Sequence, residues 1–306
     1  MVGRSPSRLA LDRLLHDPAA IASAAAILLI VLVAIAAPAI AALTGHGVYE
    51  QYPVTGLTPE GLPRPPSSRF LLGTDDLGRD LMVRIAYGTR ISLLVGVAAT
   101  LITVAIGSAV GMVAGFFGGM VDTVLARAVD VMLSIPFLLF AISLASVVSV
   151  TPLHIGPFTL GQGVAIVVLV IGIFSWATVA RIVRGQVIAI RHREYVEAAR
   201  AVGAPTRRII LREILPNVVP TIIVYTTLLI PISIVAEASL SYLGVGVPPP
   251  TADWGSMIAS AQGYYQVAWW FLTFPCVALV ITTLTFSIFG DCVRDALDPR
   301  TRGYRR

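Results

Sequence analysis

The sequence predicts an all-α integral membrane protein with six transmembrane helices, and three observations carry that reading. Of 306 residues, 56% are hydrophobic and only 13% charged, whereas about a quarter of a soluble domain is charged. Six segments are apolar over a length that crosses a bilayer core of roughly 30 Å, which takes about 20 residues of helix because only a helix satisfies its own backbone in lipid. The arginines concentrate in the segments that an even number of spans would leave on one face.

Taken in order, the first span is Ala19 to Leu43, which carries no charge. Its apolar run exceeds the roughly 7 to 15 residues of a signal-peptide core, so it reads as an uncleaved anchor. Ile91 to Phe117 is the second span. Residues 131–180 form one uncharged run that is too long for a single crossing. The prolines and glycines of Thr151 to Gly163 divide it into spans near 131–150 and 163–180. The fifth span runs from Asn217 to Leu240, with bends expected at Pro220 and Pro231, and the sixth from Ala268 to Gly290. With a cytoplasmic N-terminus, the inner segments hold Arg4, Arg8, Arg13 and Arg127, then eight arginines between 181 and 212, then five from Arg294 to Arg306. The outer side keeps only the five between Arg64 and Arg90. Both termini are therefore expected inside.

Composition also excludes chemistry. Every basic residue among the 22 is arginine. Without lysine the chain has neither a phosphate-binding Walker A loop nor a Schiff-base nucleophile. No cofactor is expected on this chain, and energy from ATP would have to arrive through a partner. Basic residues interleaved with aromatics, the mark of a nucleic-acid surface, are lacking. Cys276 and Cys292 have no metal or disulfide spacing and read as packing residues. His16, His46, His154 and His192 are scattered over different loops and form no cluster, which argues against a membrane enzyme. His154 is expected to be solvated in an outer turn. No inverted repeat suggests a secondary transporter, and the spans hold almost no titratable group beyond Glu237 for ion coupling.

The outer segment before the second span reads FLLGTDDLGRDLMVRIAYGTRIS at 70–92. Thr74 can cap a helix with Asp75 and Asp76 in its first turn, and Leu77, Leu81 and Ile85 recur at i, i+4, i+8. Asp75 with Arg79 and Asp80 with Arg84 make acid-first i, i+4 pairs. A short amphipathic helix on the outer membrane surface is expected, bending into the second span. The three aspartates lack calcium-loop spacing, so no metal site is expected. Glu237, an acid at membrane depth, reads as an outer-gate or structural residue together with Asp75, Arg79 and Asp80. Asp130 is expected to pair with Arg127 near the inner surface.

The longest inner segment, Arg181 to Pro216, contains EYVEAARAVGAPTRRIILREILPN at 194–217. A helix over Arg191 to Val202 should end with Gly203 in the left-handed position, and Pro205 suits the first turn of a second short helix. Ala198, Ala199, Ala201 and Gly203 leave a surface nearly free of side chains, rimmed by Arg200, Arg207, Arg208, Glu194 and Glu197. Such a shape suits docking.

Glu197, Ala198, Ala199, then Gly203, then Ile214, Leu215 and Pro216 resemble the EAA loop in permease subunits of ATP-binding-cassette importers, with Glu213 where the peptide branch often has histidine. LLHDPAAIASAAAILLIVLVAIAAP at 14–38 is similar to the N-terminal anchor of the C-type subunit of dipeptide and oligopeptide permeases. PPSSRFLLGTDDLGRD at 65–80 and YGTRISL at 87–93 resemble its outer signature, with Phe70, Leu71 and Leu72 in place of His-Pro-Leu. VDVMLSIPFLLFAI at 129–142, AEASLSYLGVG at 236–246 and DWG at 253–255 extend the likeness over almost the whole chain.

The resemblance implies a type I ABC-importer permease fold in a prokaryotic inner membrane, without catalysis of its own. It implies residues 1–60 as N-terminal segment, anchor and start of the outer loop, 61–87 as outer loop with the interfacial helix, 88–291 as permease core with its coupling loop at 181–216, and 292–306 as cytoplasmic tail. It implies a second, B-type permease subunit, two ATPase subunits carrying ATP and Mg, an extracytoplasmic substrate-binding protein and surrounding lipid as partners. Peptides are the solute implied first; nickel, glutathione and other small solutes belong to the same branch.

Overall fold

The computed structural model describes residues 6–147, 153–155, 158–160 and 162–297. The described chain is nearly all helical. A short helix, α1 (Pro6–His16), precedes the first span, α2 (Pro18–Thr44). Asp17 caps α2 by accepting from the Ala19 amide, Pro18 occupies its first turn, and Gly45 ends it at φ +70°. The outer loop leads to α3 (Leu81–Phe117), and a turn at Gly118 leads to α4 (Gly119–Ser134) and α5 (Phe137–Val147). A two-stranded antiparallel hairpin, β1 (Leu153–Ile155) with β2 (Phe158–Leu160), precedes α6 (Gln162–Ile190). Then come α7 (Glu194–Ala201), α8 (Thr206–Arg208), a π turn (Ile209–Ile214), α9 (Leu215–Tyr242), α10 (Trp254–Ala261) and α11 (Trp269–Leu297).

The expected spans are present with altered bounds. Five helical segments are long and apolar enough to cross a membrane, and α4 with α5 makes a sixth if that bent pair is one span. The third span is therefore not a straight helix over 131–150. Ile135 precedes Pro136, and the residue before proline is pushed into extended backbone; Ile135 sits at φ −86°, ψ 126°, and the two helices meet at 86°. Helix α6 continues well past residue 180 to Ile190, so the inner segment 181–216 begins as an extension of that helix. The fifth span is continuous with what precedes it, helical from Thr206 through Pro220 and Pro231 to Tyr242. The side chain of His154, the tail beyond Leu297 and Arg4 lie outside the described residues.

The amphipathic helix expected from Thr74 does not form. Asp75 Oδ1 accepts from the amides of Leu77 at 3.0 Å and Arg79 at 2.9 Å, and Gly78 turns at φ +73°. Aspartate side chains that bind backbone donors locally compete with helix formation. Helix α3 starts instead after Asp80, whose Oδ1 accepts from Met82 at 2.9 Å and Val83 at 3.2 Å.

Helices α3 and α6 share the most extensive contact in the molecule. Gly107, Gly111 and Gly115 fall at i, i+4, i+8 along α3. A Cβ at Gly107 would lie 2.6 Å from the Val179 Cβ, at Gly111 2.6 Å from the Ala180 carbonyl oxygen, and at Gly115 2.7 Å from the Val187 Cβ. In lipid, helix association depends on such close packing of small residues. Val179, Val183 and Val187 of α6 fill that seam and continue into a core with Val104, Val196, Ile209, Ile214 and Val218. Gly111→Leu is expected to lower the stability of the detergent-solubilised protein by about 1–3 kcal/mol or more through overpacking. Gly185→Ala, where a Cβ meets nothing within 4 Å, is expected to be neutral or slightly stabilising; chemical denaturation of the two variants checks this.

Candidate functional site

The small-residue inner motif at 194–217 maps onto one compact unit. Helix α7 is amphipathic, with Val196 fully buried against α6, the π turn and the start of α9. Its end is a Schellman closure: the amide of Gly203 donates to the Arg200 carbonyl at 2.9 Å, and that of Ala204 to the Ala199 carbonyl at 3.0 Å. Gly203 sits at φ +76°, and a Cβ there would meet nothing within 4 Å. Glycine is thus required at this position by backbone conformation, and the space above it is open.

The expected residues divide between surface and anchor. Glu197, Ala198, Ala201, Gly203 and Pro216 are exposed, while Ala199 and Leu215 are half-buried. Ile214 is 1% exposed and belongs to the core. Pro205 caps α8 from outside rather than occupying its first turn. Among the described residues, Glu194, Glu197, Arg207 and Arg208 make no ion pair within the chain, so the charged rim is free for a partner. Arg200 lies 5.4 Å over the Phe116 ring at the end of α3. Val202, at 83% exposure, and the exposed Tyr195 and Leu211 add apolar area to this surface. The small-residue motif did not single them out.

At the opposite end of α3, charged groups are buried together. Asp75 Oδ2 meets Arg79 Nε at 2.6 Å and Arg84 Nε at 3.2 Å. The expected Asp75–Arg79 pair therefore forms, on a turn. Asp80 does not pair with Arg84 as expected: it caps α3 and meets His46 Nδ1 at 2.6 Å. His46 stacks on Phe70 at 4.7 Å between ring centres and meets Tyr52 edge-on at 4.9 Å. This ties the end of the first span to the start of the second, a link between residues 34 apart in sequence that no local pattern signals. Arg84 also donates to the carbonyls of Val48 at 3.4 Å and Pro250 at 3.5 Å.

Nearby, Glu237 of α9 is fully buried. Its Oε2 accepts from Ser92 of α3 at 2.9 Å and its Oε1 from Ser241 at 3.2 Å. Four residues toward the seam end, the hydroxyls of Thr100 and Ser233 meet at 3.0 Å. Asp253 caps α10 through the Ser256 amide at 2.9 Å and hydroxyl at 2.5 Å. Burial pushes the Asp253 carboxyl above its ordinary range, against the lowering pull of Ser256. Burial likewise raises Asp76, helped by the neighbouring Asp75. Asp130 pairs with Arg127 at 3.8 Å as expected, and more closely with Arg181 of α6 at 2.7 Å. Asp122 and Arg184 form a second bridge between α4 and α6. Among the described residues no group of three metal-ligating side chains assembles.

The chain matches the family model for the binding-protein-dependent transport system inner membrane component over residues 107–303, and that for the N-terminal transmembrane domain of oligopeptide transport permease C over residues 5–58. It is 38% identical to the oligopeptide transport system permease protein OppC of Escherichia coli K12, covering 98% of this chain and 93% of that one. The dipeptide and tripeptide permease DppC of Pseudomonas aeruginosa is 36% identical over 94% and 90%, and the glutathione permease GsiD of Pectobacterium atrosepticum 35% over 98% and 93%. Among solved structures, an inward-facing MetNI methionine ABC transporter chain matches with a TM-score of 0.55 at 18% identity, over 71% of this chain and 98% of that one; this likeness supports the fold. The chain belongs to the binding-protein-dependent transport system inner membrane component family, with the N-terminal transmembrane domain of oligopeptide transport permease C.

Proposed function

We propose that this chain is the C-type permease subunit of an ATP-driven importer, lining half of a pathway for peptides. The observation that carries the reading is the α7 unit: an exposed small-residue surface around Ala198 and Gly203, clamped by Val196 and Ile214 onto the helices α3, α6 and α9. A surface held this way passes a push on α7 directly into the spans. It suits docking of one of two ATPase subunits, with a B-type permease beside it and a binding protein at the Asp80 end. On this reading both termini and α7 are cytoplasmic, and residues 45–80 face outward. The outer cluster of Asp75, Arg79 and Asp80 braces the loop on which a binding protein would settle. The relatives named above support peptides as solute, including glutathione, itself a tripeptide.

The chain supplies no bond-breaking chemistry in this scheme. ATP and Mg belong to the ATPase subunits, whose closure draws α7 and its counterpart together and reopens the pathway outward.

Gly203→Val and Glu197→Arg are each expected to cut peptide uptake and the stimulation of ATP hydrolysis by loaded binding protein at least roughly tenfold, a coupling loss of the usual allosteric size. Membrane insertion, read by protease protection, should persist. Uptake at the wild-type rate by both variants sinks the docking assignment. We assign Glu237 as a brace between α3 and α9. Glu237→Gln, which keeps two hydrogen-bonding positions, should retain stability and uptake, whereas Glu237→Ala should cost about 1–3 kcal/mol by taking away the acceptor of the Ser92 and Ser241 hydroxyls. A changed KM with unchanged stability in Glu237→Ala would make it a pathway-lining residue instead.

A further inference from the structure

The segment that joins α8 to α9 is not α-helical. Ile209–Ile214 form a π turn, and the Leu215 amide donates to the carbonyl of Ile210, five residues back. Such turns are rare and appear mostly as single turns inserted in α-helices, so a cause is required. Pro216 follows at once. It has no N–H to offer the Arg212 carbonyl four residues back, and its ring would collide with that carbonyl in an α-helix. Pro216 is exposed, so it fills no space in the core. Asn217 Nδ2 donates to the next carbonyl, that of Glu213, at 2.7 Å.

The consequence is one of phase. Ile209 and Ile214 are 3% and 1% exposed and share one core with Val183, Val187, Val196 and Val218. An α-helix turns about 100° per residue, so residues five apart would point roughly 140° away from each other. One isoleucine would then leave the core. The i to i+5 ring of a π turn brings the fifth residue back near the same face. Leu211, between them, is 47% exposed.

We infer that Pro216 is a positioning residue for coupling: by holding the Ile209–Ile214 turn open it keeps both isoleucines in the core, and so fixes the rotational setting of α7 and α8 against α6 and α9. The inference rests on the docking reading of α7 and adds what sets the angle of that surface.

The test uses the complete importer in lipid nanodiscs, with Cys276 and Cys292 changed to serine, and with the binding protein as purified carrying its own ligand. Pro216→Ala should lower the ratio of stimulated to basal ATP hydrolysis roughly tenfold. In that background, Ile209→Cys should become as reactive toward a membrane-impermeant maleimide as Leu211→Cys. Deleting Leu211 from the Pro216→Ala variant leaves the two isoleucines four residues apart, about 40° in an α-helix. That double variant should again shield position 209 and recover the ratio to within about threefold. The inference is overturned if Ile209→Cys stays shielded in Pro216→Ala, if the ratio does not fall, or if the deletion fails to restore it. Gly203→Val separates the two levels: if it too leaves the ratio intact, the docking reading fails; if it alone uncouples, only the role of Pro216 fails.

Discussion

The close approach of α3 and α6 along Gly107, Gly111 and Gly115 is the constraint on which the other features depend. Lipid provides no hydrophobic drive between helices, so their pairing rests on packing and polar contacts. Three glycines remove the side chains that would hold the two backbones apart. The valines of α6 that occupy the seam, Val183 and Val187, are also those against which Val196, Ile209 and Ile214 are buried. The α7 unit is thus seated on the central helix pair and does not hang from a loop.

Helix α3 connects the two ends of the molecule. At 37 residues it is longer than the membrane is thick, about 55 Å against roughly 30 Å of hydrocarbon. One end carries Asp80, Arg84 and Ser92, bound to His46, Asp75 and Glu237. The other end carries Phe116 beneath Arg200. Buried charges at the first end are compensated by capping amides, hydroxyls and each other, which is the condition for keeping ions out of water. A continuous chain of contacts joins α7 to that cluster through α3 itself and through α9, which is braced to α3 by Glu237 and Ser233.

The spans were legible because a bilayer imposes length and apolarity on sequence, and the exposed turn at Gly203 because small residues and a left-handed glycine leave a local pattern. Other features were hidden for identifiable reasons. The period of Leu77, Leu81 and Ile85 suggests a helix, but Asp75 and Gly78 offer the backbone a competing turn, and the turn prevails. The 86° bend at Pro136 was signalled by the proline, yet a long uncharged run masked it. The glycine spacing at 107, 111 and 115 is present in the sequence, but spacing alone does not say which helix such a face meets. His46 with Asp80, and Ser92 with Glu237, join residues far apart in sequence, and no single sequence declares such pairs.

The central claim is that the surface around Ala198 is where ATP hydrolysis enters this chain. A photo-crosslinking amino acid placed at position 198 in the assembled importer tests it most directly, with exposed Val54 at the other end as reference. The account predicts a crosslink from 198 to an ATPase subunit, altered in yield when nucleotide is trapped, and none from 54. A crosslink to the ATPase from position 54, or none from 198 in a complex that transports, would contradict it.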